Sequence, residues 1–315
     1  RLLNAFRYTE RPGIFCGPLA PEAMIHTDLN EAKRRYFRAM YEVSAPSERA
    51  NCMLSLMETL RPVGSEDLGL SDVVDMDGQS ALSDLEAFLP LWIGALKSVD
   101  ADQKGWGRCA RKLLREAVAM SGQAEGLCAL ALEEGAEHPE VYHDWVGVLV
   151  QQNRLQEAIE AAREGIQRIV DAPYRARLGD RLALLAHTTH DIGLAVEATR
   201  AAWRAAPTVV RLLLMVAATE RAGVTGVVLE QEASVIVRGD WDHSEALACH
   251  LLLLAGHYED AIVRFEKADG MGWGRSKHPG ALVLPFLWFA VTGDTKLRDG
   301  TAISGLWSEL DAPER

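Results

Sequence analysis

The chain has 315 residues, of which 48% are hydrophobic and 25% charged, and these values are ordinary for a folded protein, so extensive disorder is not expected. Its 45 acidic residues outnumber its 33 lysines and arginines, giving a net charge of −12. Nucleic acid, whose phosphates require clustered cations, is therefore not an expected partner, and because no stretch of roughly 18 apolar residues occurs, no membrane span is expected either.

Residues 1–100 are predicted to form an N-terminal helical region with an irregular start. Residues 1 to about 30 contain turn signals built on Pro and Gly and show little periodicity. Asp28 can cap a first helix, and a second helix follows Ser47 and stops before Pro62. These two helices are expected to pair as a hairpin.

Residues 62–80 are rich in Asp, Glu, Ser and Gly and are predicted to form a polar, acidic connection. An EF-hand calcium loop over residues 72–84 would lack its first ligand and its bidentate Glu, so no calcium site is predicted there. A third helix is predicted from about Ser83, in which Pro90 either introduces a kink or occupies the first turn.

From about residue 105 the sequence repeats. The repeated feature is a small residue early in the second helix of a hairpin, where two antiparallel helices approach closely. Four alanines mark it at separations of 34, 37 and twice 33 residues, with a valine at the missing step. These marker positions are Ala124, Ala158, Ala195, Val228 and Ala261.

Two further sets of positions follow the same period. Five residues before the marker, where the first helix must end and turn, come Asn153, His190, Gly223 and Gly256. Three residues before the marker, where a large side chain is expected to pack between helices, come Leu155, Ile192, Thr225 and Tyr258.

With this period and these positions, the sequence resembles the tetratricopeptide-repeat family over roughly residues 105–270. Residues 153–159 and 256–262 carry the resemblance best. It implies an all-α fold, an α-solenoid (superhelix) of antiparallel helical hairpins, with tetratricopeptide-like repeats over residues 101–270. The hairpins around Ala124 and Val228 depart most from the family pattern.

Residues 271–315 are predicted to be C-terminal capping helices. Residues 282–291 are strongly apolar, and a last helix carries Leu306 and Leu310. Because the ends of a solenoid need a polar cover, the last helix is expected to cover the apolar segment. The alternative is an exposed docking patch.

The resemblance implies a concave groove lined by the first helix of each hairpin. Counting back 19 residues from the markers places the repeat starts at Pro139, Ala176, Val209 and Asp242. The resulting groove positions include Val210, and the candidates for partner binding are His143, Arg177, Asp180, His187, Glu220, Arg221, His243 and His250. The alternative interpretation is that these are ordinary surface side chains. Clusters of Arg elsewhere are interpreted as solvated helix faces, with an acidic peptide or RNA as the alternative ligand.

Motifs for catalysis or for a bound group are not found. The sequence contains no GxSxG, no P-loop and no GxGxxG after a strand, and its five widely spaced cysteines include no CxxC pair. We therefore predict no enzyme activity, no metal site and no cofactor. The cysteines are interpreted as reduced thiols of a cytoplasmic protein.

The expected function is that of a scaffold or adaptor that binds a peptide or a partner domain in the groove. The alternative is a regulatory or accessory subunit or domain of a larger enzyme or nucleic-acid-associated complex. The chain begins at Arg1 rather than Met, so a processed or incomplete N-terminus is expected. Frequent Ala, Arg, Leu and Gly indicate a bacterial source with GC-rich DNA.

Overall fold

The computed structural model describes residues 28–60, 68–74, 81–99, 106–265 and 267. Within these ranges the chain forms 13 helices and no strand, so the all-α prediction is confirmed. In chain order the helices are α1 (Leu29–Val43), α2 (Arg49–Leu60), α3 (Ser71–Val74), α4 (Leu85–Lys97), α5 (Trp106–Glu134), α6 (Glu140–Gln151), α7 (Leu155–Arg168), α8 (Ala172–Thr188), α9 (Ile192–Ala205), α10 (Val209–Ala222), α11 (Thr225–Val237), α12 (Glu245–Ala255) and α13 (Tyr258–Phe265).

The chain divides into two compact units, residues 1–133 and residues 134–315. The predicted division into residues 1–100, 101–270 and 271–315 stays a prediction. The irregular start and the C-terminal capping helices lie outside the described residues.

In the first unit the predicted pair of helices is present as α1 and α2. The Asp28 carboxylate accepts hydrogen bonds from the amides of Asn30 and Glu31, which confirms it as the cap of α1. A buried aromatic cluster lies beneath these helices, in which the ring of Tyr41 meets that of Phe88 edge-on at 4.9 Å. The apolar faces of α1, α2 and α4 therefore share one core.

The prediction of a wholly polar connection after α2 is wrong. Leu68, Leu70 and Val73 are buried, and α3 forms within this segment. Its isolated apolar residues sit among acidic neighbours and have no helical period of their own, which is why the sequence does not indicate their burial. The predicted third helix is α4, and Pro90 lies inside it rather than in its first turn.

Helix α5 contains a sharp bend where the sequence predicts a hairpin around Ala124. Gln123 has non-helical angles of φ 48 and ψ −134, so two helical arms meet there. A Cβ atom at Gly126 would lie 3.0 Å from Cγ1 of Val118, which shows how closely the arms approach across the bend.

The described part of the second unit, up to residue 265, consists of short-linked helices, each packed against the next from α6 to α13. The predicted turn positions are confirmed. Their φ values are 58°, 55°, 68° and 85°, the left-handed conformation that commonly ends a helix. The residues are Asn153, His190, Gly223 and Gly256, which follow α6, α8, α10 and α12.

Polar side chains join helices that are two apart along the chain. Between the first helices of successive hairpins, bonds link α6 to α8 and α8 to α10. Between the second helices, bonds link α7 to α9 and α9 to α11. Their sequence separations, 31 to 34 residues, repeat with the predicted period. The pairs are Glu140–Tyr174, Asp180–Arg211, Arg163–Glu197 and Arg200–Glu232.

Two parts of the predicted register are wrong. Ile192 and Tyr258 begin α9 and α13 and are 51% and 63% exposed, so they do not pack between helices. The repeats predicted to start at Ala176 and Asp242 have first helices that start at Ala172 and Glu245, four residues earlier and three residues later. Asp171 caps α8 early, and α12 is one of the shorter helices. Counting back a constant 19 residues from the marker therefore gives the start of neither helix.

Candidate functional site

A groove of about 830 Å³ opens between α8, α9 and α10, and we refer to it as the α8–α10 groove. Its volume lies within the range of ligand-binding pockets. Short turns around His190 and Pro207 hold the three helices as consecutive neighbours, and each packs on the next. At Gly179 a Cβ atom would lie 2.9 Å from the backbone nitrogen of Ala202, so α8 and α9 are in close contact below the groove.

The walls of the groove are aliphatic and open to solvent. The exposed fractions are 69% for Leu184, 51% for Ile192, 40% for Leu214 and 37% for Val210. Single exposed apolar residues are common on proteins, whereas several lining one concavity are typical of a binding site. These side chains gain free energy when a ligand removes them from water.

One end of the groove holds an internally satisfied ion pair. The Arg211 guanidinium donates to both carboxylate oxygens of Asp180, with a shortest distance of 2.7 Å from Nη2 to Oδ2. Its Nη1 also donates to the carbonyl of Ala206 at 2.6 Å. Charge at this end is therefore balanced within the protein.

The other end carries His187, His190 and Arg221. The two imidazole rings lie 6.5 Å apart between centroids, and both side chains are exposed. Asp191 lies beside them, but its carboxylate caps α9 by accepting from the amide of Leu194 at 2.9 Å. This end therefore presents nitrogen donors around the apolar walls.

Three of the predicted groove residues, Asp180, His187 and Arg221, are brought together by the α8–α10 groove. Glu220 is exposed on α10 but does not line the groove. Adjacent residues of a helix point about 100° apart, so Glu220 and Arg221 face different directions.

His143 and Arg177 form a separate cluster around Tyr174. The His143 Nε2 atom lies 3.2 Å from the carbonyl oxygen of Tyr174, and the Arg177 guanidinium lies over the Tyr174 ring at 4.1 Å. Burial lowers the pKa of His143, which favours its neutral form, and the hydrogen bond to Tyr174 opposes this only in part. Both side chains are thus engaged with Tyr174 on α8, and neither lines the α8–α10 groove.

The placement of His250 in a groove is wrong. His250 is 1% exposed and lies in the buried part of α12, so it cannot touch a partner. The cause is the register error, because α12 starts three residues after the predicted repeat start. His243 precedes the helix, and its ring meets that of Trp241 edge-on at 5.0 Å.

Of the four aliphatic wall residues, only Val210 was among the groove positions predicted from sequence; Leu184, Ile192 and Leu214 were not. Leu184 stands next to the buried Leu182 and Leu185, and Leu214 next to the buried Leu213 and Met215. A helix that is apolar on more than one side signals a second contact face. The sequence shows this excess of apolar residues. It does not show which of them are buried, because that depends on which side of the helix the neighbouring helices cover.

Among the described residues, no group of three or more His, Cys, Asp or Glu is arranged to hold a metal ion. In the same part of the chain no helix is both long and apolar enough to cross a membrane. Comparisons with protein-family models, curated proteins and solved structures give no match for this chain.

Proposed function

We propose that this protein is a binding scaffold whose α8–α10 groove accepts an apolar peptide segment of a partner protein. The observation that carries the proposal is the set of four exposed aliphatic side chains on the walls of one 830 Å³ concavity. Such a surface costs free energy while it faces water and gains it when a partner covers it.

The fold proposed for this role is an α-solenoid of tetratricopeptide-like hairpins. It is supported by the left-handed turns that recur at the predicted period and by the side-chain bonds that join every second helix. Stacked hairpins of this kind share a continuous core and leave a concave face for extended or helical ligands.

The aliphatic walls supply only part of the free energy that a peptide ligand needs. Burying an aliphatic side chain completely is worth about 1.5–3 kcal/mol. These four are already partly covered, so each contributes roughly 1 kcal/mol, and the cost of association reduces the total. The four together give about 4 kcal/mol, which corresponds to about 1 mM before that cost, so the apolar side chains of the peptide and its polar contacts must supply the rest.

Selection from a random-peptide display library tests the proposal. The intact chain should enrich peptides with a shared pattern of aliphatic residues. Synthetic copies should bind in a fluorescence-polarisation assay. The double variant Leu184→Asp, Leu214→Asp places charge on both walls and should lose binding by more than tenfold.

The matched control is Val227→Asp, Val237→Asp, which alters two similarly exposed aliphatic residues of α11 outside the groove. It should bind like the parent, and circular dichroism should show equal helix content in all three proteins. Failure to enrich any common pattern would contradict the proposal, as would peptides that bind the groove variant and the parent equally.

A further inference from the structure

The Arg221 guanidinium on the groove wall has no polar or ring partner among the residues that the structure describes. It differs in this from the other arginines of residues 134–265. Each of those contacts a carboxylate, a carbonyl oxygen or an aromatic ring. An unpaired cation beside apolar walls is an arrangement that a ligand carboxylate would complete.

We propose that the α8–α10 groove selects an apolar peptide segment that carries an Asp or Glu side chain at the end held by Arg221. This inference rests on the proposed function and specifies the chemistry of its ligand. The aliphatic residues of the peptide cover Leu184, Ile192, Val210 and Leu214, and its acidic side chain pairs with Arg221.

The charges near Arg221 are consistent with an acidic ligand. Asp191 is the acidic residue that lines the same end, and its carboxylate is engaged in capping α9. Glu220 is outside the groove lining, although its charge will weaken the local potential. His187 and His190 add ring nitrogens that can donate to a carboxylate oxygen.

The opposite end of the groove does not compete for the acid. The Arg211 guanidinium is already bound to Asp180 and to the carbonyl of Ala206. The two ends thus differ in their capacity to take up an anion, and a bound peptide acquires a defined direction, with its acidic residue toward the turn between α8 and α9.

Charge reversal at Arg221 is the decisive experiment. Peptides selected by the intact chain are synthesised with an amidated C-terminus and with Glu, Gln or Lys at the acidic position. The parent should bind the Glu peptide about threefold to tenfold more tightly than the Gln peptide, with an advantage that falls as salt rises. Arg221→Glu should reverse this order and prefer the Lys peptide.

The control is Arg238→Glu, which changes the net charge equally at an exposed arginine outside the groove and should keep the preference for Glu. If selected peptides depend on Leu184 and Leu214 but the Glu, Gln and Lys forms bind within twofold, this inference is wrong while the proposed function stands. Selected peptides that bind as free C-terminal acids but not in the amidated form would also overturn it. If no groove-dependent peptide is found, the proposed function itself fails.

Discussion

Asn153, His190, Gly223 and Gly256 hold the left-handed backbone conformation that ends the first helix of successive pairs, yet two of the four are not glycine. For a residue with a side chain this conformation costs roughly 1–2 kcal/mol, less for Asn. The chain therefore tolerates local strain at Asn153 and His190, where the tight turn is required to bring the next helix back.

Gly223 and Gly226 offer a direct test of this requirement. Gly223→Ala should lower the free energy of unfolding by about 1 kcal/mol, because φ is 68° at this residue although no atom blocks the added Cβ. Gly226→Ala lies three residues later inside α11, again with open space around its Cβ, and should raise it by a few tenths. Urea unfolding measures both, and equal effects of the two substitutions would contradict the argument.

His257 makes stability depend on pH in a predictable direction. Its Nε2 atom lies 2.9 Å from Oε2 of Glu230, and this hydrogen bond is the main cause that raises the pKa of His257 above its ordinary 6.5. The folded state therefore binds the proton more tightly than the unfolded state. The resulting stabilisation is complete below the unfolded pKa and disappears as the pH rises through the folded pKa.

Glu230→Gln should accordingly lower the free energy of unfolding by about 0.5 kcal/mol near pH 5.5, the size usual for a partly exposed ion pair, and by almost nothing at pH 8.5. Thermal unfolding across this range measures the difference. Glu259→Gln removes a similar exposed charge from α13 and should show no such trend. If the destabilisation caused by Glu230→Gln grew as the pH rose, the predicted direction of the pH dependence would be wrong.

At the scale of single elements, α3 is too short to be stable alone and is held by its neighbours. The Glu116 carboxylate of α5 accepts from the amides of Leu70 and Ser71, both at 2.8 Å, and from the Ser71 hydroxyl. On another side Arg38 of α1 donates to the carbonyl of Val73 at 3.3 Å. The carboxylate thus satisfies the free amides at the start of a helix.

Glu116→Ala should leave these amides without their acceptor and lower the free energy of unfolding by about 2 kcal/mol. Hydrogen exchange at the amides of Leu70 and Ser71 should become faster than global unfolding alone would allow. Glu133→Ala is the control, because its carboxylate is exposed and lies 3.8 Å from Lys97, a pair worth little. Unchanged exchange at both amides would indicate that α3 is held by the burial of Val73 and of the preceding Leu70 alone.

The elements that could be predicted from sequence are those whose signal is local. Asp28 caps α1 through its own side chain, and the turn residues such as Gly223 are read from conformational preference. Helix α3 was missed because its stability comes from Glu116, 46 residues away from Leu70. His250 was misplaced because α12 starts three residues after the predicted repeat start, so the count of residues from that start assigns His250 to the wrong face of the helix.

At the scale of the whole molecule, the sequence indicates all-α pairing but not which apolar residues stay uncovered. Leu184 and Leu185 are adjacent and chemically identical, yet their exposed fractions are 69% and 4%. The difference arises from the position of α9 and α10 beside α8, which is a tertiary property. Asp180, His187, Val210 and Arg221 were predicted because the family resemblance implied that the groove is lined by this face of α8 and α10. The other aliphatic wall residues, Leu184, Ile192 and Leu214, required the structure.

The bonds that join α6 through α11 connect residues only 31 to 34 positions apart. Closing loops of this length costs little chain entropy, so α6 can pair with its neighbours before α11 has formed. Structure can nucleate at any hairpin and extend to the next in either direction. Pulling this part of the chain from one end should then release it in successive steps of about one hairpin each.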